Sequence, residues 1–497
     1  MIPEKIRRRA RRQCSSLCAI LWMALVSIAA VFSSAGASAQ QVHANQPPLA
    51  AWLREAGIDP VDVGVSVWRL DEPGSGVPAW ELNADVSFNP ASTMKLVTTW
   101  AALSALGPEF RWRTALYLRG RIADGVLDGD LVLRGGGDPK FVVEDLTEWI
   151  ARIRASGLRE IRGDLVIDDA IFEPVDETLA PFDGDASQPY NVLPSGALMN
   201  FKATRLIVRP DGARAMVELD PPLADVSIEN RIRVQRGPCR NGAAGLRVRE
   251  APGRKIDGAA IRVEGLYSTG CGEQGLFAAV LGHAEFARAF FAAVWRASGG
   301  VWDGGARIER GAANGEPWIE WVSPRTLADV IEDVNHFSNN VMARQLLLQL
   351  GAAAGARPAR VADGRDAVVG WLQARGFDFP ELVLDNGAGL SRQARISPSN
   401  LVRLLVDADG SPLAERFRRS LPRVGETGTV RYRLVGEAVA GRAWIKSGSL
   451  VDVRSIAGYV DAASGRRYAV AVFVNGSRAG ASGGVQDQLL RWLHANG

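Results

Sequence analysis

The chain has 497 residues, 47% of them hydrophobic and 23% charged. That length exceeds one ordinary core and fits two or three domains, and the composition excludes a disordered or fibrous protein. The formal charge of +3 is misleading, because residues 1–39 hold six basic residues and one acid; the remaining 52 basic and 54 acidic residues leave no nucleic-acid footprint.

The first segment reads as an export signal. Lys5, Arg7, Arg8, Arg9, Arg11 and Arg12 form a basic head, an uncharged stretch runs from Leu17 to Phe32, and Ala37-Ser38-Ala39 offers small residues for cleavage after Ala39. The stretch is short for a retained anchor, and no hydrophobic twin-arginine motif follows the arginines, so general secretion into the periplasm is expected. Cys14 and Cys18 leave with the signal. Cys239 and Cys271 then remain, and an oxidising compartment favours a disulfide between them. A zinc site is the alternative, poorly served by two cysteines without neighbouring histidines.

Further along, Leu96, Val97, Trp100, Leu103 and Leu106 recur at helical spacing until Gly107-Pro108 stops them. From residue 111 to 322 the pattern alternates instead, with strand-like pieces at Thr114–Leu118, Gly129–Leu133, Asp164–Ile167, Arg205–Val208, Arg231–Val234 and Ala260–Val263. Helical patterning returns at Ser323–Leu327 and continues through Ser338 to Leu348. Strands follow at Ala443–Lys446, Ser455–Val460 and Tyr468–Val474, then an amphipathic helix carrying Val485, Leu489, Leu490 and Leu493. The expected class is α+β: helices on a mostly antiparallel sheet, interrupted by β-rich insertions.

Three short motifs carry chemistry. Ser92 and Lys95 share one face of a helical turn, where a neutral Lys95 amine can take the Ser92 proton. Burial and a nearby Lys446 cation would both lower the Lys95 pKa. Ser338 and Asn340 can pass a proton to a leaving amine and hold the substrate or orient Lys95. Lys446 and the Ser447 and Ser449 hydroxyls can bind a substrate carboxylate, Gly448 lets substrate approach the strand, and the backbone N–H groups of Ser92 and Ser449 can form an oxyanion hole. Each motif alone is more often a helix cap, a turn or a strand end; the three in order, on helix, helix and strand, form the S-x-x-K, S-x-N and K-[ST]-G set of penicillin-interacting serine enzymes. His336 reads as a packed or solvent-facing residue. This chemistry requires no cofactor and no metal.

Beyond the motifs, the segments Asn89–Leu96, Gly135–Pro139, Tyr190–Val192, Leu198–Asn200, Asp385–Arg392 and Gly425–Thr429 with Arg431 and Arg433 resemble the peptidase S13 family. These are the class C low-molecular-mass penicillin-binding proteins, D-alanyl-D-alanine carboxypeptidases with D,D-endopeptidase activity. The resemblance runs from about Leu49 to the C-terminus. It implies a penicillin-binding transpeptidase-like fold with two inserted domains, one nested in the other. The catalytic domain would comprise 40–110 and 324–497, the outer insertion 111–136 and 231–323, and the nested one 137–230. Ser92 and Ser338 are 246 residues apart, which such an insertion explains. The resemblance further implies Ser92 as nucleophile, Lys95 as its proton acceptor, Ser338 and Asn340 as the second-motif pair, Lys446 on substrate and Arg392 near the diaminopimelate end of a stem peptide. The partners would be peptidoglycan stem peptides and β-lactam antibiotics. Two positions depart from the family pattern: Ser447 replaces threonine and Asn339 replaces aspartate.

Two other readings remain. A class A β-lactamase would use Glu381-Leu-Val-Leu-Asp385-Asn386 as its deacylating element, but Asp stands there in place of the required Asn. A catalytically silent wall-binding module would keep the fold without turnover, although every nucleophile and proton-carrier position is intact.

Overall fold

A computed structural model of the chain describes residues 46–178, 180–251 and 259–497; the expected export signal lies outside these. Among the described residues no helix is long and apolar enough to cross a membrane.

Five antiparallel strands form the sheet on which the site is built. Their spatial order is Ala443–Leu450, Val453–Asp461, Arg467–Asn475, Val63–Glu72 and Ser75–Leu82. The chain therefore supplies this sheet from both its ends. Val63–Glu72 lies against Arg467–Asn475 with Val65 opposite Val472 and Val67 opposite Val470. Side chains alternate between two faces with period two. Val65, Val67, Ile445, Ile456, Val470 and Val472 pack beneath helices Leu49–Ala56 and Gly483–Asn496. Ala457, Ala469, Ala471 and Phe473 face the larger helical layer, built from Lys95–Leu106, Leu327–Phe337, Asn340–Ala353, Val361–Ala374 and Pro398–Asp409. Both faces are buried, so the central strands read as near-continuous apolar runs rather than alternating ones.

The expected single helical run across Ser338 is broken. Ser338 has φ +56°, in the left-handed region, and ends Leu327–Phe337. Asn339 then caps the next helix, its Oδ1 accepting from Met342 N at 3.1 Å. The break turns two helices apart at the residue whose hydroxyl the chemistry would use.

Residues 111–323 form two further units. One is a sheet ordered Ala306–Ile308, Leu165–Asp168, Val126–Arg134, Arg113–Ala123 and Ile319–Val322, with Glu160–Ile161 added on Val126–Arg134. Helices Val143–Ala155 and His283–Ala297 cover it around Trp149, Phe290 and Trp295. The other holds two three-stranded sheets, Leu246–Glu250, Ala259–Gly270, Val226–Pro238 and Gln274–Ala278, Thr204–Asp211, Arg214–Asp220. This pairing moves the seam expected at 137–230. Residues 143–168 belong with the first sheet, because Leu131 pairs with Leu165. Residues 226–278 belong with 204–220, because Phe277 pairs with Arg205 and the two sheets share a core of Leu206, Ile261 and Val263. We propose 204–278 as the nested unit. The outer unit is a sheet of six strands covered by two helices.

Cys239 and Cys271 are joined in a disulfide within the nested unit, with Cα atoms 4.4 Å apart. The link closes a loop spanning 32 positions. Chain-entropy loss in the unfolded state stabilises such a loop by about 3–4 kcal/mol. Replacing both cysteines with alanine is expected to lower the stability of residues 204–278 by about that amount. Hydrogen exchange would report faster amide opening there and unchanged opening in the five-stranded sheet.

Candidate functional site

The site forms where the edge strand Ala443–Leu450 meets a helical turn and the helix break. Ser92 sits in a 3-10 turn, Ala91–Met94, that runs directly into helix Lys95–Leu106. Two asparagines fix this turn. Asn89 Oδ1 accepts from Ala91 N at 2.9 Å, and Asn89 Nδ2 donates to Ser391 O at 2.8 Å. Asn475, at the end of a central strand, accepts from Asn89 N at 2.7 Å and donates to Asn89 O at 3.0 Å.

Glycine lets the other elements reach the turn. A Cβ on Gly448 would lie 2.2 Å from Ser455 Oγ and 2.8 Å from Ser92 N. A Cβ on Gly389, at φ +73°, would lie 1.8 Å from Ala91 O. No side chain fits at either position.

Lys95 is fully buried. Its Nζ reaches Ala388 O at 2.6 Å, Asn340 Oδ1 at 2.7 Å and Ser92 Oγ at 3.1 Å. Burial first, then the like charges of Lys446 and Arg344, hold its amine well below the ordinary lysine value. A neutral amine has two N–H donors and one lone pair. The two shorter contacts are to pure acceptors and use both donors, which leaves the lone pair facing the Ser92 hydroxyl. The arrangement fits a base awaiting the Ser92 proton.

Lys446 is also fully buried. Its Nζ donates to Ser338 Oγ at 2.8 Å and to Ser447 O at 2.9 Å. Burial brings it down to about 7. Two amines thus share one pocket, and burial draws both below the ordinary lysine value.

The edge strand presents backbone to the cleft. Ile445 N donates away from the sheet, to Pro422 O at 2.8 Å. Period two then aims the N–H groups of Ser447 and Ser449 at the same open side. Ser449 N–H therefore faces the open side of the strand, and Gly448 brings the strand against the nucleophile turn at Ser92 N. The Ser447 hydroxyl lies 2.9 Å from Thr429 Oγ1. Arg392 stands apart from this group, exposed, with its guanidinium 4.9 Å from the Phe182 ring.

Several contributors were not singled out from sequence. The carbonyls of Ala388 and Tyr190 bind Lys95 and Asn340, the latter through Asn340 Nδ2 at 3.2 Å. A backbone acceptor leaves no side-chain signal. Thr429 lies in the Gly425–Thr429 segment, and its hydroxyl beside Ser447 was discoverable only from the fold. Arg344 lies one turn beyond Asn340, a spacing that the helix pattern did carry. His336 packs on the Thr427 hydroxyl at 3.2 Å. Glu381 accepts from Ser397 N at 2.9 Å and Asn400 Nδ2 at 2.7 Å, capping a distant helix. Its segment makes an isolated bridge, Val383 with Arg395.

Residues 49–496 match the family model of the D-Ala-D-Ala carboxypeptidase 3 (S13) family. A D-alanyl-D-alanine carboxypeptidase of Actinomadura sp. (strain R39) is 27% identical over 98% of this chain and 92% of its own. D-alanyl-D-alanine carboxypeptidase DacB of Haemophilus influenzae is 26% identical over 80% and 83%. The crystal structure of penicillin binding protein 4 (dacB) from Haemophilus influenzae superposes with a TM-score of 0.72 at 23% identity, covering 90% of this chain and 98% of that one, and so shares the fold. A structure of that protein complexed with a β-lactam gives a TM-score of 0.69 at 22% identity, covering 87% and 96%.

The depressed Lys446 amine makes a stability prediction. Its folded value, about 7, lies below the unfolded lysine value, so between these the unfolded chain binds more protons. The cost, on the order of 4–5 kcal/mol, is full below pH 7 and shrinks as pH rises toward 10. Lys446→Met should therefore melt well above wild type at pH 6, and the gap should narrow steadily to pH 10. Melting curves across that range would check it; a gap independent of pH would contradict the assignment.

Proposed function

The chain belongs to the D-Ala-D-Ala carboxypeptidase 3 (S13) family and is a serine-type D-Ala-D-Ala carboxypeptidase, and we propose that it works through an acyl-enzyme on Ser92, removing terminal D-alanine from stem peptides and opening D-alanyl cross-links in the periplasm. One observation carries this reading: the buried Lys95 amine, with both donors committed to Asn340 and Ala388, turns toward Ser92 Oγ at 3.1 Å.

In the proposed sequence Ser92 Oγ attacks the carbonyl between two D-alanines as its proton passes to Lys95. The developing oxyanion lies between the N–H groups of Ser92 and Ser449. The terminal carboxylate faces Lys446, Ser447 and Ser449. The C–N bond breaks, and the leaving amine takes the proton that Lys95 received from Ser92, either directly or by a relay in which Ser338 protonates the amine, Lys446 reprotonates Ser338 and Lys95 restores the proton to Lys446. Water then attacks the ester, its proton returning through Lys95, and Ser92 is regenerated. Arg392, exposed beside Phe182, would meet the diaminopimelate end of the peptide. A cross-link offers the same carboxylate beside its scissile bond, so endopeptidase cleavage needs no second site. A β-lactam mimics the dipeptide and would acylate Ser92 in the same way.

The β-lactamase reading loses its specific support, since the Glu381 carboxylate is committed to Ser397 and Asn400.

Incubation of the mature protein with purified muropeptides is expected to release D-alanine from pentapeptides and split dimers, and penicillin should add covalently to Ser92. Ser92→Ala should abolish all three, read by mass spectrometry; an adduct on that variant would refute the nucleophile. Gly448→Ala should remain folded yet acylate at least about 100-fold more slowly, because its Cβ displaces the nucleophile turn by steric overlap. Stopped-flow acylation with a fluorescent penicillin measures this.

A further inference from the structure

The Ser447 side chain is half-buried at the sheet edge and has little to hold it there. Lys446 does not orient its hydroxyl, because Lys446 Nζ meets Ser447 through the backbone carbonyl, at 2.9 Å. Among the described residues the one hydrogen bond of Ser447 Oγ is to Thr429 Oγ1, at 2.9 Å. Serine carries a single heavy atom on Cβ, so its own covalent structure leaves all three χ1 wells open. A threonine is restricted by its branched Cβ. A hydroxyl free to rotate must be ordered each time a carboxylate binds, and that ordering weakens recognition.

Thr429, by contrast, stands on a turn that is fixed on both sides of it. Val430 is fully buried and packs in one core with Val424. Gly425 N donates to Val430 O at 3.1 Å, and Arg423 N donates to Thr427 Oγ1 at 2.9 Å, so the turn closes on itself. The same Thr427 hydroxyl meets His336 Nε2 at 3.2 Å, tying the turn to the end of helix Leu327–Phe337. Thr429 itself is exposed, with its hydroxyl on Ser447.

The direction of that hydrogen bond follows from counting protons. Each hydroxyl has one proton and can accept through its lone pairs. Two hydroxyls in contact spend one proton between them and keep the other. When Thr429 donates to Ser447 Oγ, the Ser447 proton is left over, and the donation polarises it. A carboxylate only accepts, so its arrival at Ser447 favours this direction over the reverse.

We infer that Thr429 is a positioning residue for recognition of the terminal carboxylate: its hydroxyl donates to Ser447 Oγ, holds that side chain in one rotamer and turns the Ser447 proton toward the carboxylate next to the scissile bond. It gives a serine at 447 the fixed direction that a branched Cβ gives a threonine. Thr429 acts through Ser447 and requires no contact with substrate. The inference rests on the proposed reaction at Ser92 and deepens it by naming what aims one of the hydroxyls that meet the carboxylate.

The test compares acylation of Ser92 by a penicillin bearing its free carboxylate and by the methyl ester of the same penicillin, followed by mass spectrometry of the intact protein. The ratio of the two rate constants on one variant isolates the carboxylate, so changes at Lys95 or in the nucleophile turn cancel. Thr429→Val keeps shape and charge, leaves the Arg431 cation two residues on in place, and removes only the hydroxyl. It should cut the ratio about fivefold, the range of one uncharged hydrogen bond, by slowing the free acid and not the ester. Thr429→Ser should hold the ratio within about twofold of wild type, since the donor is kept. Adding Ser447→Thr to Thr429→Val should restore it to within about twofold, because the branched Cβ then fixes the hydroxyl. An unchanged ratio in Thr429→Val, a loss falling equally on acid and ester, a loss of the ratio in Thr429→Ser, or a loss that Ser447→Thr does not relieve overturns the inference. Wild type that forms no Ser92 adduct with either compound would sink the reaction itself, and this role with it.

Discussion

Two lysine amines buried within one pocket set the terms for everything around them. Neither can be charged without cost in so dry a place, and both charged at once is worse. The outcome is a division of labour imposed by environment rather than by residue type. Lys95 is surrounded by pure acceptors and two cations; Lys446 touches a hydroxyl and its own strand's carbonyl. Burial and both cations depress the first, whereas burial alone brings the second to about 7. A histidine-free acyl transfer depends on that asymmetry, because the proton must have a place to go and the substrate carboxylate a charge to meet.

The asymmetry in turn dictates how tightly the backbone must close. Lys95 reaches Asn340 only because helix Asn340–Ala353 starts immediately after the left-handed turn at Ser338. It reaches Ala388 only because Gly389 passes close over Ala91. Lys446 projects from an edge strand that glycine allows to touch the nucleophile turn. The insertion is part of this closure as well. Its Tyr190–Val192 segment is gripped by Asn340 and Arg344, so a unit more than a hundred residues away in sequence supports the residue that orients Lys95.

Much of this was legible in the sequence, and the pattern of what was not is physical. The helix at Lys95–Leu106 follows from its periodicity and the strands around Lys446, Ser455 and Tyr468 from their short apolar runs, because each carries a local signal. The seam between the inserted units did not follow, since strand pairing such as Leu131 with Leu165 or Phe277 with Arg205 is non-local. The helix break at Ser338 was hidden for a different reason. Its neighbours are apolar at helical spacing on both sides, and only the backbone angle separates them. Helix Val143–Ala155 within the outer unit was masked by the strand-like pieces on either side of it.

Carbonyl acceptors explain why the motif triad could be seen while the state of its base could not. Serine, lysine and asparagine at fixed spacing announce a nucleophile and its partners. Whether the lysine is neutral depends on Ala388 O, on burial, and on a cation at Arg344 that no motif contains. A surface Lys95 with the same neighbours in sequence would hold its proton and leave Ser92 inert. The chemistry therefore lies less in the four letters of the first motif than in the dryness of the pocket that the sheet edge, the broken helix pair and the inserted segment jointly enclose.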